Sequence, residues 1–348
     1  MISILGLLFP ILFFSTLFLF LIWLFIKPKN SVLLLSALLL SIPSILKSFA
    51  INKTESFYAK KKPGSLRLLT WNVGLLNFAA KDHATAEQQN AILFDKLKEL
   101  NADVICLQEF FTAVVPETRY NFKDSIIKTM GYPYHYFSPE ISYFSNQFYS
   151  GNIVYSKYKI ISSSRIVFPR PNNGALLKTS LLVDGDTVQI FTSHLQSVKF
   201  EAYEYQTIRN LKKASDPRLQ GSGNIVKKLK LAFRERTTQI KIIDAALRET
   251  EGPLVFTGDM NEVPTGYAYQ TFTKNLEDVW INTGYGIGKT FKYISPSLRI
   301  DYIFVSDHFK SLQSNRIISS ASDHYGIVTD LILKKKLDND MNLLKKGQ

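Results

Sequence analysis

The sequence predicts an α+β fold, a core of two sheets flanked by helices, carried behind a hairpin of two transmembrane helices. Three observations carry this reading. Residues 2–26 run 25 positions without a charge, short apolar runs ending in polar residues recur from Leu66 to Leu333, and few helical stretches separate those runs. A doubly wound parallel sheet needs a helix between almost every pair of strands, which this spacing does not supply. The chain has 348 residues, 46% of them hydrophobic, with 25 Phe and 17 Tyr, and this excludes a disordered or collagen-like polymer. Cys106 is the only cysteine, so neither an intramolecular disulfide nor a cysteine-built zinc site can form.

The first apolar run is long enough to cross roughly 30 Å of hydrocarbon with some tilt. After Lys27-Pro28-Lys29-Asn30, a second run over 31–51 is interrupted only by Lys47, close enough to its end to snorkel. A cleaved signal peptide is the competing reading, and Ser48-Phe49-Ala50 imitates its cleavage site. The missing basic n-region and the length of the first run speak against it. Lys27 and Lys29 favour a cytoplasmic loop and an exported C-terminal domain, whereas Lys47, Lys53, Lys60, Lys61, Lys62 and Arg67 favour the reverse. The first span usually dominates, which favours export. The chain therefore divides into an anchor at 1–51, a basic linker at 52–65, a folded domain at 66–333 and a basic tail at 334–348.

The domain opens with LRLLTW from Leu66, a buried strand bounded by Asn72 and Gly74. Residues 84–100 place Ile92, Leu93, Leu97 and Leu100 on one helical face, and the run ADVICLQE follows as the next strand. Further strands are expected at 151–156, 179–183, 188–192, 254–257, 301–305 and 327–333, with helices at 236–249 and 267–274.

Five of these segments break their apolar pattern at the C-terminal end with residues suited to metal-assisted phosphate chemistry. They are TWN ending in Asn72, CLQE ending in Glu109, TSHLQS with His194, FTGDMNEVP with Asp259 and Asn261, and SDHYG with Asp323 and His324. Asp301, opening DYIFV, is a sixth. Singly, such a carboxylate reads equally as a helix cap or half of an ion pair. His83, His135 and His308 lack such surroundings and read as surface or core residues, and Cys106, between Ile105 and Leu107, as a packed strand residue.

In order and context, the six segments resemble the endonuclease/exonuclease/phosphatase superfamily of divalent-metal phosphoesterases, which includes pancreatic-type deoxyribonucleases, abasic-site endonucleases, inositol polyphosphate 5-phosphatases, neutral sphingomyelinases and polyA deadenylases. The resemblance covers residues 66–333 and implies a four-layer α/β/β/α sandwich of two mixed sheets, with the site where strand ends of both sheets meet. It implies Asn72 and Glu109 as the metal centre and Asp323 as a second metal or water ligand. Mg²⁺, with Mn²⁺ as substitute, suits the hard carboxylate of Glu109. By the same resemblance Asp259 accepts or orients the proton of the attacking water, and Asn261 donates to the developing phosphorane charge. The spacing of two is expected to place these side chains together on an extended strand end. His324 is implied to be the imidazolium facing the phosphate, with Asp301 fixing it. His194 matches a second histidine of the deoxyribonuclease, sphingomyelinase and 5-phosphatase branches. Gly151-Asn152 resembles a glycine-led strand, shaped by Gly151, from which Asn152 could reach substrate.

Between His194 and the helix expected near 236 lie about forty residues with ten cations against four acids. This insertion at 197–236 reads equally as a substrate flap, with Phe200, Tyr203 and Tyr205 as stacking or lipid-dipping groups, or as a helical insertion with a solvated basic face. The formal charge of +13 concentrates accordingly: +2 in the hairpin loop, +5 over 47–67, +6 in the insertion and +3 in the tail, leaving −3 elsewhere. The sequence is thus expected to encode a membrane-anchored Mg²⁺-dependent phosphodiesterase acting on a phospholipid or head-group substrate, with no evident protein partner. A nuclease on DNA or RNA and a non-catalytic membrane scaffold are the alternatives.

Overall fold

Alternate residues of the central strands belong to different apolar layers, and this alternation builds the sandwich. Leu66 and Leu68 point into the layer between the sheets, while Leu69 and Trp71 point outward under helices. The same period of two separates Val104 and Cys106 from Ile105 and Leu107, and Val255 from Phe256. The computed structural model describes residues 2–52, 57, 60–78, 80, 82–115, 118–171, 174–198, 222–293, 295 and 297–335.

In chain order the elements begin with α1 (Ile2–Ile26), α2 (Pro28–Ser48), β1 (Ala50–Ile51), β2 (Leu66–Asn72), α3 (His83–Leu100), β3 (Val104–Ala113) and α4 (Phe122–Met130). There follow β4 (Tyr134–Tyr143), β5 (Phe148–Ser156), β6 (Lys159–Val167), β7 (Ala175–Val183), β8 (Asp186–His194), α5 (Ser222–Arg248), β9 (Leu254–Asp259) and α6 (Tyr267–Phe272). The chain continues with β10 (Glu277–Asp278), α7 (Val279–Thr283), β11 (Tyr285–Gly286), β12 (Asp301–Val305), β13 (Phe309–Ile317) and β14 (Gly326–Leu333). One sheet has the order β13-β14-β2-β3-β5-β4, the other β10-β12-β9-β8-β7-β6, and β1 pairs with β11. Both large sheets are mixed: β2 and β3 run parallel, as do β8 and β9, and the other pairings are antiparallel. Helices α3 and α4 cover the first sheet through Leu93, Leu97, Phe122 and Ile126, and α5 and α6 cover the second through Ile240, Ile243 and Phe272. This is the α/β/β/α sandwich expected above.

Three boundaries differ instructively. The second apolar helix begins at Pro28, where a missing N–H costs nothing, and stops at Ser48 because Ala50 and Ile51 join a ladder with Gly286 and Tyr285. Of the basic insertion, residues 222–236 form the first half of α5, and Phe200, Tyr203 and Tyr205 lie outside the described residues. Strands β1, β4, β6, β10, β11 and β13 and helices α4 and α7 go beyond the elements expected from sequence. β4 and β6 are edge strands whose exposed, polar or interrupted sequences (Pro139, Ser162-Ser163-Ser164) carry little alternation.

Helices α1 and α2 are each long and apolar enough to cross a membrane, and side chains such as Phe25 and Leu40 are more than four-fifths exposed. Their near ends meet the domain. Thr265 Oγ1 donates to Gly6 O at 2.9 Å, Lys47 Nζ to Gln270 Oε1 at 2.6 Å and Arg299 to Lys47 O at 2.7 Å. Leu7 packs on Val263, Phe291, Leu298 and Ile300.

At the end of the first sheet remote from the loops that follow β2 and β3, Arg67 and Asp330 form a fully buried pair. Arg67 donates from Nε at 2.7 Å and from a terminal nitrogen at 3.0 Å, while Gln313 Nε2 donates to the same carboxylate at 2.7 Å. Removing one partner strands a buried charge, at a cost of about 3–5 kcal/mol. Arg67→Met is therefore expected to lower stability by that amount in denaturant unfolding, and Arg67→Met with Asp330→Leu to recover most of it. Equal destabilisation by the single and double variants would show that the pair is not what the buried arginine serves.

Candidate active site

On the strands that meet at the seam, the inward face changes from apolar to hydroxyl to functional in steps of two residues. Leu68, Thr70 and Asn72 succeed one another on β2, Ile190, Thr192 and His194 on β8, and Val255, Thr257 and Asp259 on β9. The hydroxyls form a polar floor. Gln108 Nε2 donates to Thr70 Oγ1 at 3.0 Å and to Thr192 Oγ1 at 2.9 Å, and Thr257 Oγ1 lies 3.2 Å from Thr70 Oγ1. All four residues are buried, so each depends on the others for hydrogen bonding. Gln108 and the threonines were missed from sequence, although the threonines' fixed offset from Asn72, His194 and Asp259 is a readable signal.

Glu109 breaks this parity. Counting from Val104 and Cys106, it belongs to the helix-facing set with Ile105 and Leu107. A β-bulge shifts the β3–β5 register between Leu107 and Phe110, and Glu109 adopts a left-handed φ of 50°. That bulge re-aims its carboxylate into the seam. Asn72 Nδ2 then donates to Glu109 Oε1 at 3.2 Å and to Asp259 Oδ2 at 3.1 Å, joining carboxylates from opposite sheets. Asn72 Oδ1 accepts from Gly74 N at 3.0 Å, so presenting its carbonyl to a cation requires rotating the amide.

His194 Nε2 stands 3.6 Å from Glu109 Oε1 and 3.7 Å from Asp259 Oδ2. His324 reaches the same Asp259 oxygen from the other side, with Nε2 at 3.7 Å, and its Nδ1 is 2.9 Å from Asp301 Oδ2. Its main chain is pinned as well: Trp71 Nε1 donates to His324 O, and His324 N donates to Ser322 Oγ, which itself donates to Asn72 O. Burial alone would pull the His324 pKa down, but Asp301 and Asp259 outweigh it and hold it up at about 10. Burial, aided by Asp301, raises the carboxyl of Asp259, against which both histidines pull.

Asn261 corrects the period-two expectation. The strand ends at Asp259, Asn261 has φ 50°, and the two residues meet through a turn in which Asn261 N donates to Asp259 Oδ1 at 2.8 Å. Its side-chain Nδ2 also donates to Leu195 O, which leaves the second N–H of that amide for another acceptor. Asp323 Oδ1 lies 3.3 Å from Ser322 Oγ and beside Gly74, where a Cβ would stand 3.3 Å from it. Asn152 is fully buried on β5. Its Nδ2 donates to Glu140 Oε1 at 2.7 Å and its Oδ1 has no partner. The neighbouring Gly151 tolerates no Cβ, which would meet Ser138 O at 2.0 Å. Glu140, absent from the sequence reading because it lies in a bulge of edge strand β4, also accepts from Ala175 N. Burial lifts its carboxyl to about 7, against the pull of His194 and the Ala175 N–H.

The structure thus brings Asn72, Glu109, His194, Asp259, Asp301 and His324 to one point, with Asn261 and Asp323 at its rim and Asn152 beside it. His83, His135 and His308 are exposed, and Cys106 is fully buried. Atoms of Asp259, Asp301 and His324 that could ligate lie within 4.8 Å of one another. Anionic oxygens converging from two sheets, with only an amide and two imidazoles between them, fit a hard divalent cation better than a soft one.

A profile of the Endonuclease/Exonuclease/phosphatase family matches residues 69–324. The structure is similar to an endonuclease/exonuclease/phosphatase from Beutenbergia cavernae DSM 12333, with 20% identity and a TM-score of 0.56 over 79% of this chain and 72% of that one. It is also similar to D. rerio TDP2 complexed with a single-strand DNA product (18%, TM-score 0.53, covering 77% and 98%). A third likeness is the Bacteroides thetaiotaomicron VPI-5482 mannosyl-6-phosphatase Bt3783 (16%, TM-score 0.52, covering 77% and 100%). At these identities the three share the fold. Among curated proteins there is no match to this sequence.

The raised pKa of His324 means that its charge stabilises the fold fully below its unfolded value of about 6.5 and that this contribution is lost as pH rises through about 10. Asp301→Asn removes the largest charge that opposes burial and leaves Asp259 as the main one against it. In NMR titration of the metal-free protein, the His324 midpoint is expected to fall by at least two units in that variant. An unchanged midpoint would mean that Asp301 does not hold the imidazolium.

Proposed function

Because this chain belongs to the endonuclease/exonuclease/phosphatase family, whose members are hydrolases of phosphoester bonds, we propose that it is a Mg²⁺-dependent phosphodiesterase, anchored in the membrane by residues 1–51 and acting on a phospholipid or head-group substrate. The observation that carries the reaction class is the convergence of Glu109, Asp259 and two imidazoles on one seam position. Glu109, with Asp323 and a rotated Asn72, would hold the cation, and Mn²⁺ would substitute. The cation would neutralise a non-bridging phosphate oxygen.

The chain's own groups do the rest. Asp259 is buried, so its carboxylate is a stronger base than one in water, and it is placed to take a proton from the attacking water. Asp301 occupies Nδ1 of His324 and leaves Nε2–H facing the Asp259 oxygen and a phosphate bound beside it. The free N–H of Asn261 supports the same developing charge. His194, partly exposed between Glu109 and Asp259, is placed to donate to the departing oxygen.

The docking of both apolar helices against loops next to the site supports a substrate drawn from the membrane. Positive charge at Lys27 and Lys29 supports a cytoplasmic loop and an extracytoplasmic domain. The TDP2 likeness, with its bound DNA product, favours a nuclease as the second reading.

Hydrolysis of bis-p-nitrophenyl phosphate by the full chain is expected to require Mg²⁺ or Mn²⁺, to vanish in Glu109→Gln and to fall at least 10³-fold in His324→Ala, with folding retained in both. Cleavage of a zwitterionic phospholipid should vary little with ionic strength, whereas a nuclease should weaken steeply as salt rises. No turnover on diesters, monoesters, nucleic acids or phospholipids would sink the enzyme reading.

A further inference from the structure

The apolar surface of the domain is unevenly placed. Outside α1 and α2, eight large apolar side chains among the described residues are more than half exposed. Five of them, Val114, Val115, Phe144, Val167 and Ile318, lie at strand ends on the side of the sandwich that carries the seam. Val114 and Val115 follow β3, Phe144 caps the β4–β5 hairpin, Val167 ends β6 and Ile318 follows β13. Two more, Ile51 and Tyr285, face each other across the β1–β11 ladder where the chain leaves α2. The eighth, Leu231, is on α5.

This is also where the apolar helices meet the domain. Gly6 and Leu7 near the start of α1, and Lys47 near the end of α2, contact residues 263–270 after β9 and 291–300 before β12. Phe291, in that contact, packs its ring 4.9 Å from His324. The helix ends therefore stand on one side of the cleft and the Val114–Val115–Phe144 tip on the other. The tip is built to project: β3 and β5 stay paired from Phe110 opposite Gly151 to Ala113 opposite Phe148, and Val114 N donates to Gln147 O at 3.0 Å beyond the last pair.

We infer that the seam end of the sandwich is a membrane-docking face, which lies on the leaflet from which α1 and α2 emerge and enters its interface with Val114, Val115 and Phe144. Apolar side chains exposed on one rim are stabilised by transfer into the interfacial region, and an anchor already in the same bilayer removes most of the entropic cost of finding it. The cleft between the two contacts then opens on the layer of lipid phosphates. This inference rests on the function proposed above for the identity of the reaction, but docking itself can be read without catalysis.

Cys106 is fully buried, so a cysteine placed at the tip is the only accessible thiol. Full-length protein carrying Phe144→Cys or Val115→Cys, labelled with an environment-sensitive fluorophore, is reconstituted in phosphatidylcholine–phosphatidylglycerol vesicles. The control is Asp307→Cys, at an exposed turn on the opposite end of the sandwich. The tip labels are expected to be quenched by doxyl lipids and shielded from iodide, and the label at 307 to behave in the opposite way. Tip labels as open to iodide as the control would overturn the inference, whatever substrate the enzyme cleaves. Val115→Asp with Phe144→Asp should lower hydrolysis of vesicle phospholipid at least tenfold and leave bis-p-nitrophenyl phosphate turnover within twofold. Unchanged vesicle hydrolysis would contradict docking, and loss of soluble-diester turnover in the wild-type chain would count against the proposed reaction alone.

Discussion

Two carboxylates from opposite sheets, Glu109 and Asp259, are drawn to a single amide nitrogen of Asn72, and the rest of the domain holds them there. With each oxygen close to 3.1–3.2 Å from that nitrogen, the charges are no more than about 6 Å apart, and at an effective dielectric of about 20 they repel by roughly 3 kcal/mol. His194 and His324 offset part of that repulsion, and the burial of Asp259 adds to it. A divalent cation relieves the conflict outright, which is why this arrangement reads as a binding site and not as a salt-bridge network.

The supporting structure answers to the same constraint. The carboxylates of Glu109 and Asp259 take their hydrogen bonds from Asn72 and from the Asn261 N–H. The layer of Thr70, Gln108, Thr192 and Thr257 beneath them makes the transition from the dry core to the charged mouth in one step of the strand repeat. Gly258 has a φ of 134° and a position where a Cβ would lie 2.0 Å from Ser193 O, so β8 and β9 can approach closely just before His194 and Asp259 emerge. On the outer side, the buried pair of Arg236 and Glu262 ties α5 to the loop that carries Asn261, and Arg236 also donates to Gln196 O beyond His194.

Residue types and order exposed the central features in the sequence, because a polar residue ending an apolar strand is conspicuous. Asn72, His194 and Asp259 have this form, whereas Asp301 opens β12 and His324 stands just before β14. Glu109 is legible as the polar end of CLQE, although strand parity places it on the wrong face and a bulge corrects it. Asn261 is legible in FTGDMNEVP, but its pairing with Asp259 is a turn and not an extended strand. Glu140 was invisible, because nothing in an exposed edge strand announces that one carboxyl will turn inward onto Asn152. The exposed apolar tip was likewise missed, since Val114, Val115 and Phe144 become one feature only when β3 and the β4–β5 hairpin are paired.

The two apolar helices, the exposed rim and the charged seam share one end of the molecule, so the proposed chemistry and the proposed membrane contact meet at the seam. The most direct test of that account is anomalous diffraction from crystals of the protein soaked in Mn²⁺. A peak is expected at the seam about 2.0–2.2 Å from a Glu109 carboxylate oxygen, lost in Glu109→Gln. A structure with no peak there at millimolar Mn²⁺, or with the ion held elsewhere and Glu109 still bound to Asn72, would contradict it.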